Sequence, residues 1–403
     1  MAINLSLPST IELWKKRVEE LGIQNLSLHT SKHTSASGIQ ERQYLLMRVL
    51  WIEVKGKAFD WDLSGLKEWQ EEADDRLSKY NSWRTYRESL RSPQIPESSF
   101  AVAQLCQRQA EGIRSEDMRP SVAVTPVKHR YNTRLNPTDP EFAKGQPPLK
   151  GFRERLQDMK ISATTPQTPT GKLLEDEYDD GPPDTEPSPY TVVSPGEPEL
   201  QSLMWPPTKD EQIVNAALVN YLIALTVHTG LPLEWSFHRI ALKADFEHTS
   251  YEARTDGYLE VVSGSMSSNN EEKRVRALIE VKAARRYKKP NPICMQEAAQ
   301  AVAWLKSYPD HGGLLNTRGR RIHVSQDRHE IFIIVAEYDE AYLAFLRDEK
   351  ESPDAFMRMR QYGPWNTLDR TDMERVTPIL LAIALRANAD CQAEFFSTDS
   401  TLE

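Results

Sequence analysis

The fold class follows from one stretch of the sequence, RVRALIEVKAARRYKK at residues 274–289. The side chains of a β-strand alternate between its two faces. In a strand over this stretch, Glu280 and Lys282 project together, while Ile279, Val281 and Ala283 face the other side. The stretch therefore predicts a strand that carries an acid and a lysine on one face and apolar residues on the other.

The sequence on either side predicts helices that flank a sheet. A helix begins after Thr208 and runs to Gly230, with an apolar stripe at Val214, Ala217, Leu218, Tyr221, Leu222 and Leu225. Three strand candidates follow, HRIALKADFE, YEARTDGYLEVV and KRVRALIEVKAA, then the helix NPICMQEAAQAVAWLKSY, the strand HEIFIIVAEYD and a further helix. The order helix, three strands, helix, strand predicts an α/β fold with a mixed central sheet sandwiched by helices.

The remaining sequence divides into two further segments. Residues 1–115 are predicted to form a small helical segment, with helices in IELWKKRVEELG, in IQERQYLLMRVLWIEVKG and from Leu66 to about Arg91. Sixteen of the 26 prolines lie between Pro120 and Pro207, and proline prevents sustained helix or sheet pairing. Residues 116–205 are therefore predicted to be a disordered linker, and residues 206–395 the second folded domain.

Composition excludes several classes of protein. Three widely spaced cysteines, Cys106, Cys294 and Cys391, exclude a disulfide scaffold and a cysteine-rich zinc module. The longest apolar stretch, residues 213–227, is about one turn too short to span a bilayer. The N-terminus, MAINLSLPST, lacks the basic start and apolar core of a signal peptide. We therefore expect an intracellular protein of the nucleus or cytoplasm, without a membrane partner.

The net charge of −9 is compatible with a nucleic-acid partner because the acids are concentrated in one place. Residues 171–200 contain nine acids and one lysine, a local net charge of −8. Between Lys273 and Lys289, by contrast, eight basic residues accompany a single acid. Such a run is suited to a phosphate backbone, although solvated charge is the alternative interpretation. The candidates for a DNA contact are Arg285, Arg286, Lys288 and Lys289.

The chemistry is predicted to lie where the second and third strands meet. If these strands are neighbours, Asp256 in the second stands beside Glu280 in the third. Two hard carboxylates are suitable ligands for Mg²⁺ or Mn²⁺, and Lys282 would orient or deprotonate a water and neutralise charge on a phosphate. The alternative is a solvated strand edge on which Glu280 and Lys282 form an ion pair.

Two helices add polar residues to this prediction. Glu211 and Asn215 share one face of the helix that opens the domain, and Gln296 and Gln300 share one face of the later helix. The alternative for the two glutamines is that they lie on the solvent-exposed side of the helix. A second Glu-x-Lys pattern begins at Glu53, but it lies in a region predicted to be helical and has no aspartate in a preceding strand.

The segments TDGYLEV, IEVKAARR and MQEAAQAVAWL, in this order, resemble the PD-(D/E)xK nuclease superfamily over about residues 206–350. The resemblance is greatest to the nuclease-like domain of filamentous fungal proteins, in which an RTDG strand, a helix like QEAAQ and a GPW segment recur; the last is QYGPWNT here. It implies a restriction-endonuclease-like αβββαβ core. Thr255 stands where the family name has proline. The implied site consists of Asp256 and Glu280 as metal ligands, Lys282 assisting the water, Glu211 as an accessory acid, and Gln296 or Gln300 as the helix glutamine.

The sequence thus predicts a nuclease that hydrolyses DNA phosphodiester bonds with Mg²⁺ or Mn²⁺, with RNA as an alternative substrate. Two other hypotheses stay open. One is a catalytically inactive nuclease-fold module that binds nucleic acid or protein. The other is a helical interaction protein whose C-terminal domain is structural and whose polar residues are paired with one another.

Overall fold

A computed structural model describes residues 6–56, 58–111, 211–262, 275–286, 290–308, 319–348 and 353–399. The predicted disordered linker at 116–205 lies outside these residues, as do Lys288 and Lys289. The described residues on the two sides of the gap at 112–210 belong to one compact unit. The predicted N-terminal segment therefore shares a core with the segment that follows the linker.

The described residues form ten α-helices, one short 3-10 helix (Ala36–Gly38) and nine β-strands. The helices are α1 (Ile11–Glu20), α2 (Glu41–Leu46), α3 (Trp61–Ser64), α4 (Lys67–Lys79), α5 (Asn81–Ser89), α6 (Ala101–Glu111), α7 (Glu211–Thr226), α8 (Pro290–Ser307), α9 (Glu340–Arg347) and α10 (Arg370–Asp399). The strands are β1 (Val49–Glu53), β2 (Leu233–Ser236), β3 (Ala241–Asp245), β4 (Ser250–Arg254), β5 (Gly257–Val261), β6 (Val275–Lys282), β7 (Arg320–Asp327), β8 (Glu330–Glu337) and β9 (Met357–Asn366).

Seven of these strands form one mixed sheet in the order β1-β9-β8-β7-β6-β5-β2. The pairs β1–β9 and β6–β7 are parallel, and the other neighbours are antiparallel. Alternate residues of β6 belong to different hydrophobic clusters: Leu278 shares one with Trp304 of α8, and Ile279 shares the other with Leu218 of α7 and Leu380 of α10. The predicted α/β fold, a mixed central sheet flanked by helices, is confirmed.

The helix that opens the second segment forms close to the predicted bounds. All six residues of its predicted apolar stripe are buried in α7, and this burial against the sheet explains why a helix with few charges is stable here. Helix α8 runs from Pro290 to Ser307, so each of its ends lies one residue before the corresponding end of the predicted stretch. Among the described residues, no helix combines the length and the apolar character that a membrane crossing needs.

The N-terminal segment is not purely helical. The stretch predicted as its second helix splits into the short helix α2 and the strand β1, which pairs in parallel with β9 at the edge of the sheet. The third predicted helix is interrupted at Tyr80, between α4 and α5. Glu53, which begins the second Glu-x-Lys pattern, ends β1 and so lies at the opposite edge of the sheet from β5 and β2.

The strand predicted over YEARTDGYLEVV is also divided. Its first part is β4, which forms a separate two-stranded sheet with β3, and its second part is β5 in the central sheet. The division falls at Thr255 and Asp256, so Asp256 lies just before β5 rather than inside a continuous strand. A Cβ atom at Gly257 would lie 2.5 Å from the carbonyl oxygen of Ser236. Glycine is therefore required where the chain enters the central sheet against the end of β2.

Besides β1, three other strands of the central sheet, β2, β7 and β9, were not predicted. The helix α8 returns the chain to β7, and the predicted strand HEIFIIVAEYD is the next one, β8. The QYGPWNT segment lies within β9 except for its last residue. The register between β8 and β9 shifts at this point, and Gly363 has φ of 106° with the carbonyl oxygen of Ile331 2.8 Å from where its Cβ would lie. The irregularity accommodates Pro364 within a strand.

A buried histidine on β7 is expected to make the fold sensitive to acid. His323 is fully buried against Trp304, and neither of its ring nitrogens has a hydrogen-bond partner among the described residues. Burial, aided by the charge of Arg286, lowers the pKa of His323 to about 3, whereas it is about 6.5 in an unfolded chain. In this range the unfolded chain binds a proton at His323 and the folded protein does not. The free energy of unfolding therefore falls as the pH drops from about 6.5 towards 3.

We expect His323→Leu to flatten this dependence. The wild-type free energy of unfolding should fall by up to about 1.4 kcal/mol per pH unit in this range from His323 alone. Chemical denaturation at pH 7, 6 and 5 measures the slope for both proteins. An identical slope in wild type and variant would show that His323 does not carry the acid sensitivity.

Candidate functional site

The pairing of β5 with β6 brings Asp256 to the chain around Glu280. The backbone nitrogen of Asp256 donates to the carbonyl oxygen of Ile279 at 3.0 Å. The backbone nitrogen of Val281 donates to Oδ2 of Asp256 at 3.1 Å. The Asp256 carboxylate is thus fixed next to the backbone that separates Glu280 from Lys282, as the predicted neighbouring strands require.

The Glu280 side chain is the centre of a polar cluster on the face of β6 that α8 covers. It is only 2% exposed. Its Oε1 accepts hydrogen bonds from Nζ of Lys282 and from Nε2 of Gln296, the latter at 2.6 Å, and its Oε2 accepts from Nε2 of Gln300 at 2.5 Å. Nε2 of Gln300 also donates to the carbonyl oxygen of Arg254 at 2.8 Å. Both helix glutamines therefore contact the same carboxylate. This contact excludes the alternative that they are polar residues on the exposed side of the helix.

Helix α7 closes the cluster from the other side of the sheet. Oε1 of Glu211, in its first turn, lies 3.8 Å from Nζ of Lys282. One turn later, Nδ2 of Asn215 donates to the carbonyl oxygen of Asp256 at 3.0 Å. Glu211 and Asn215 thus lie on the same face of α7, as predicted, and this face contacts the residues at the end of β6 and before β5. We call Asp256, Glu280, Lys282, Glu211, Gln296 and Gln300 the carboxylate–lysine cluster.

Burial dominates the electrostatics of the cluster. It raises the pKa of Glu280 to about 8; the charge of Lys282 opposes this rise and the Asp256 carboxylate adds to it. Burial likewise raises the pKa of Glu211, against the effect of Lys282. For Lys282 itself burial lowers the pKa, but the surrounding carboxylates more than compensate, and its pKa lies above the usual value. Lys282 therefore keeps its charge, and the cluster holds more acids than it has cations to balance them.

Sequence reasoning missed one cation of the site. Nη2 of Arg239, in the chain between β2 and β3, lies 3.1 Å from Oδ1 of Asp256, and the Arg239 side chain is 59% exposed. No pattern in the sequence singles this arginine out, because β2 was not predicted and its connection to β3 could not be placed beside Asp256. Arg239 supplies a solvent-facing positive charge next to a buried acid.

The oxygen atoms of the cluster are of the type that Mg²⁺ or Mn²⁺ prefers. Mg²⁺ is usually held by one or two carboxylates together with waters and substrate phosphates, and Asp256 with Glu280 provides such a pair. Oδ1 of Asn215 and Oε1 of Gln300 are buried oxygens that accept no hydrogen bond from the described residues. Within the described part of the chain, no group of three or more His, Cys, Asp or Glu side chains is arranged to hold a metal ion. The chemistry of these donors fits a two-carboxylate site that relies on further ligands.

The two described arginines of the predicted basic interface have different environments. Arg286 is only 3% exposed, so its predicted role as a DNA contact is wrong. Nη2 of Arg285 lies 2.6 Å from Oε1 of Glu330, and Lys288 and Lys289 are outside the described residues. The cation run is therefore not a uniform solvated face.

Arg286 instead joins several elements of the fold. Its Nε lies 2.7 Å from Oδ2 of Asp327 on β7, and its Nη2 lies 2.5 Å from Oε1 of Glu297 on α8. Its Nη1 donates to Oε1 of Gln361 on β9 at 2.8 Å, and the guanidinium lies 4.3 Å from the ring centre of Phe332 on β8. Burial raises the pKa of Asp327 to about 6, which the charge of Arg286 opposes. This network fixes the chain that follows β6.

The structure thus brings Asp256, Glu280, Lys282, Glu211, Gln296 and Gln300 together and separates Arg286 from them in the core. Comparison of the chain with protein-family models and with curated proteins finds no match.

Proposed function

We propose that the protein is a phosphodiester hydrolase that cleaves DNA with the help of Mg²⁺ or Mn²⁺. The observation that carries this proposal is the convergence on Glu280 of Lys282, Gln296 and Gln300, with Asp256 fixed beside it. The order of elements around the cluster, α7, three strands of the central sheet, α8 and β7 parallel to β6, agrees with the αβββαβ core of the PD-(D/E)xK nucleases. These two observations support membership of that superfamily as part of the proposal.

Each member of the cluster has a role in this mechanism. Asp256 and Glu280 would hold the ion, which when bound polarises a phosphate and lowers the pKa of a coordinated water. Gln296 and Gln300 hold the Glu280 carboxylate in one orientation through hydrogen bonds to its two oxygens. Lys282, which keeps its charge, stabilises negative charge that develops on the phosphate. Glu211 restrains Lys282 from the side of α7.

A second candidate is a binding module without catalysis. It is favoured by the fact that the two carboxylates that would bind the metal are already paired with protein groups. Both oxygens of Glu280 accept hydrogen bonds, and Oδ1 of Asp256 is paired with Arg239. In the nuclease, a metal ion must compete with these contacts.

A cleavage assay separates the two candidates. We expect the purified protein to cut single- or double-stranded DNA in the presence of Mg²⁺ or Mn²⁺ and to lose this activity when a chelator is added. RNA of the same sequence tests the alternative substrate, and calorimetric titration with Mn²⁺ measures binding of the metal independently. Absence of cleavage on every substrate together with absence of metal binding would contradict the nuclease and leave the binding module.

A further inference from the structure

Three consecutive exposed residues, Phe237, His238 and Arg239, form the beginning of the connection from β2 to β3. The chain before them is held in the central sheet, where Ser236 is the register partner of Tyr258. It turns immediately afterwards, since the backbone nitrogen of His238 donates to Oγ of Ser236 at 3.1 Å. The three side chains therefore project from a fixed point at the edge of the sheet.

The end of this segment is held next to the carboxylate–lysine cluster. The backbone nitrogen of Thr255 donates to the carbonyl oxygen of Ile240 at 3.2 Å. The close approach of Ser236 to Gly257 holds the other end against the opposite flank of Asp256. Both ends of the exposed segment are thus anchored to residues that adjoin Asp256, and Arg239 reaches the Asp256 carboxylate itself.

The side chains of the segment have the chemistry of a contact to unpaired nucleic acid. Phe237 is 46% exposed, and the other large apolar side chains of comparable exposure in the described residues are aliphatic. An exposed aromatic ring offers a stacking surface to a base that is not paired in a duplex. The guanidinium of Arg239 is suited to a phosphate oxygen. An aromatic ring two residues from an arginine, next to two carboxylates, combines a base contact and a phosphate contact at one place.

We propose that Phe237–Arg239 is a contact element for single-stranded or locally unpaired nucleic acid, in which Phe237 stacks on a base and Arg239 moves from Asp256 to a phosphate. This inference rests on the proposed nucleic-acid ligand of the neighbouring cluster. The release of Asp256 by Arg239 frees Oδ1 of that carboxylate when the phosphate arrives. The segment therefore favours a substrate with accessible bases and disfavours a closed duplex.

Fluorescence anisotropy tests the contact without cleavage. The protein is titrated, in chelator, against a labelled oligothymidylate and against a blunt duplex of the same length. We expect tighter binding of the single strand, and Phe237→Ala should weaken it by about fivefold or more, the lower end of measured base–aromatic stacking. Phe237→Trp should retain the affinity, and Phe237→Ala should leave duplex binding unchanged. Arg239→Ala should lower the slope of affinity against salt concentration by about one unit.

Matched controls are available outside the carboxylate–lysine cluster. Leu13 on α1 is 48% exposed, and α1 packs through Trp14 against Phe356, next to β9. Arg347 on α9 is an exposed arginine paired with Glu340 at 2.6 Å. Leu13→Ala and Arg347→Ala should bind as wild type does.

The outcomes separate this inference from the proposed function. Cleavage by the wild type with equal binding by Phe237→Ala and Leu13→Ala overturns the inference and leaves the nuclease intact. Binding that depends on Phe237 without any cleavage supports the inference and contradicts the nuclease. Equal affinity for duplex and single strand, or no binding of either, overturns the inference.

Discussion

Glu280→Gln is expected to abolish metal-dependent cleavage while the protein remains folded. The substitution keeps the size of the side chain and removes the charge that a divalent ion requires. Metal ions contribute several kcal/mol to transition-state stabilisation, and each 1.4 kcal/mol or so changes a rate tenfold. We therefore expect cleavage to fall by about 10³-fold or more, with loss of Mn²⁺ binding measured by calorimetry.

Two further variants make this result specific. Glu260→Gln is the matched control, because Glu260 lies on β5 opposite Val275 and outside the cluster; its cleavage should stay near wild type. Lys282→Met should bind Mn²⁺ and still lose cleavage, because the lysine acts on charge of the phosphate and not on the metal. Full activity in Glu280→Gln would remove Glu280 from the site.

The pH dependence of metal binding provides a second test of Glu280 as a metal ligand. With its pKa raised to about 8, Glu280 holds a proton over most of the neutral range, and a metal binds only the deprotonated carboxylate. The apparent affinity for Mn²⁺ should rise about tenfold per pH unit up to about pH 8 and level off above it. An affinity that does not change between pH 6 and 8 contradicts Glu280 as a ligand with a raised pKa.

The cluster was predictable because its members come from short-range patterns. Glu280 and Lys282 are two residues apart on a strand, Gln296 and Gln300 are one turn apart on a helix, and Asp256 precedes the neighbouring strand. Such spacings place side chains on one face of a strand or helix whatever the rest of the fold is. Arg239 follows no spacing of this kind, and only the three-dimensional arrangement relates it to Asp256.

The missed strands have a different cause. β1 is five residues long and mostly buried, and a short apolar run does not distinguish a strand from a helix. Its partner β9 comes near the end of the chain, and that strand contains Gly363 and Pro364, which indicate a turn when read locally. Gly363 and Pro364 nevertheless lie within a strand, because the register between β8 and β9 is irregular. No local sequence pattern predicts this irregularity.

The position of Arg286 was mispredicted for a related reason. A run of basic residues usually forms a solvated face, and the partners of Arg286 are distributed over α8, β7 and β9. A side chain next to it in the sequence, Arg285, behaves as a partly exposed cation paired with Glu330. Two adjacent arginines thus have opposite environments, and their replacement is expected to have very different effects on stability.

Arg286→Met is expected to destabilise the fold by about 3–5 kcal/mol, the cost of removing one partner from a buried ion pair. The substitution leaves the buried acids Glu297 and Asp327 without their cation, and Oδ1 of Asp327 already has no hydrogen-bond partner among the described residues. Arg285→Ala is the matched control, because a partly exposed pair contributes only about 0–1 kcal/mol. Chemical denaturation at pH 7 measures both variants.

Uncompensated charge and a simple loss of packing predict different behaviour of Arg286→Met. If uncompensated acids cause the instability of Arg286→Met, adding Glu297→Gln and Asp327→Asn should recover a large part of the lost free energy, since the buried charges are then gone. Lowering the pH to 5 should likewise narrow the difference in stability between Arg286→Met and wild type, because burial has raised the pKa of Asp327 to about 6 and protonation removes its charge. A loss of stability that neither the added substitutions nor the lower pH reduces would assign the effect to the missing volume of the arginine instead. Equal stability of Arg286→Met and Arg285→Ala would contradict the buried network as a determinant of the fold.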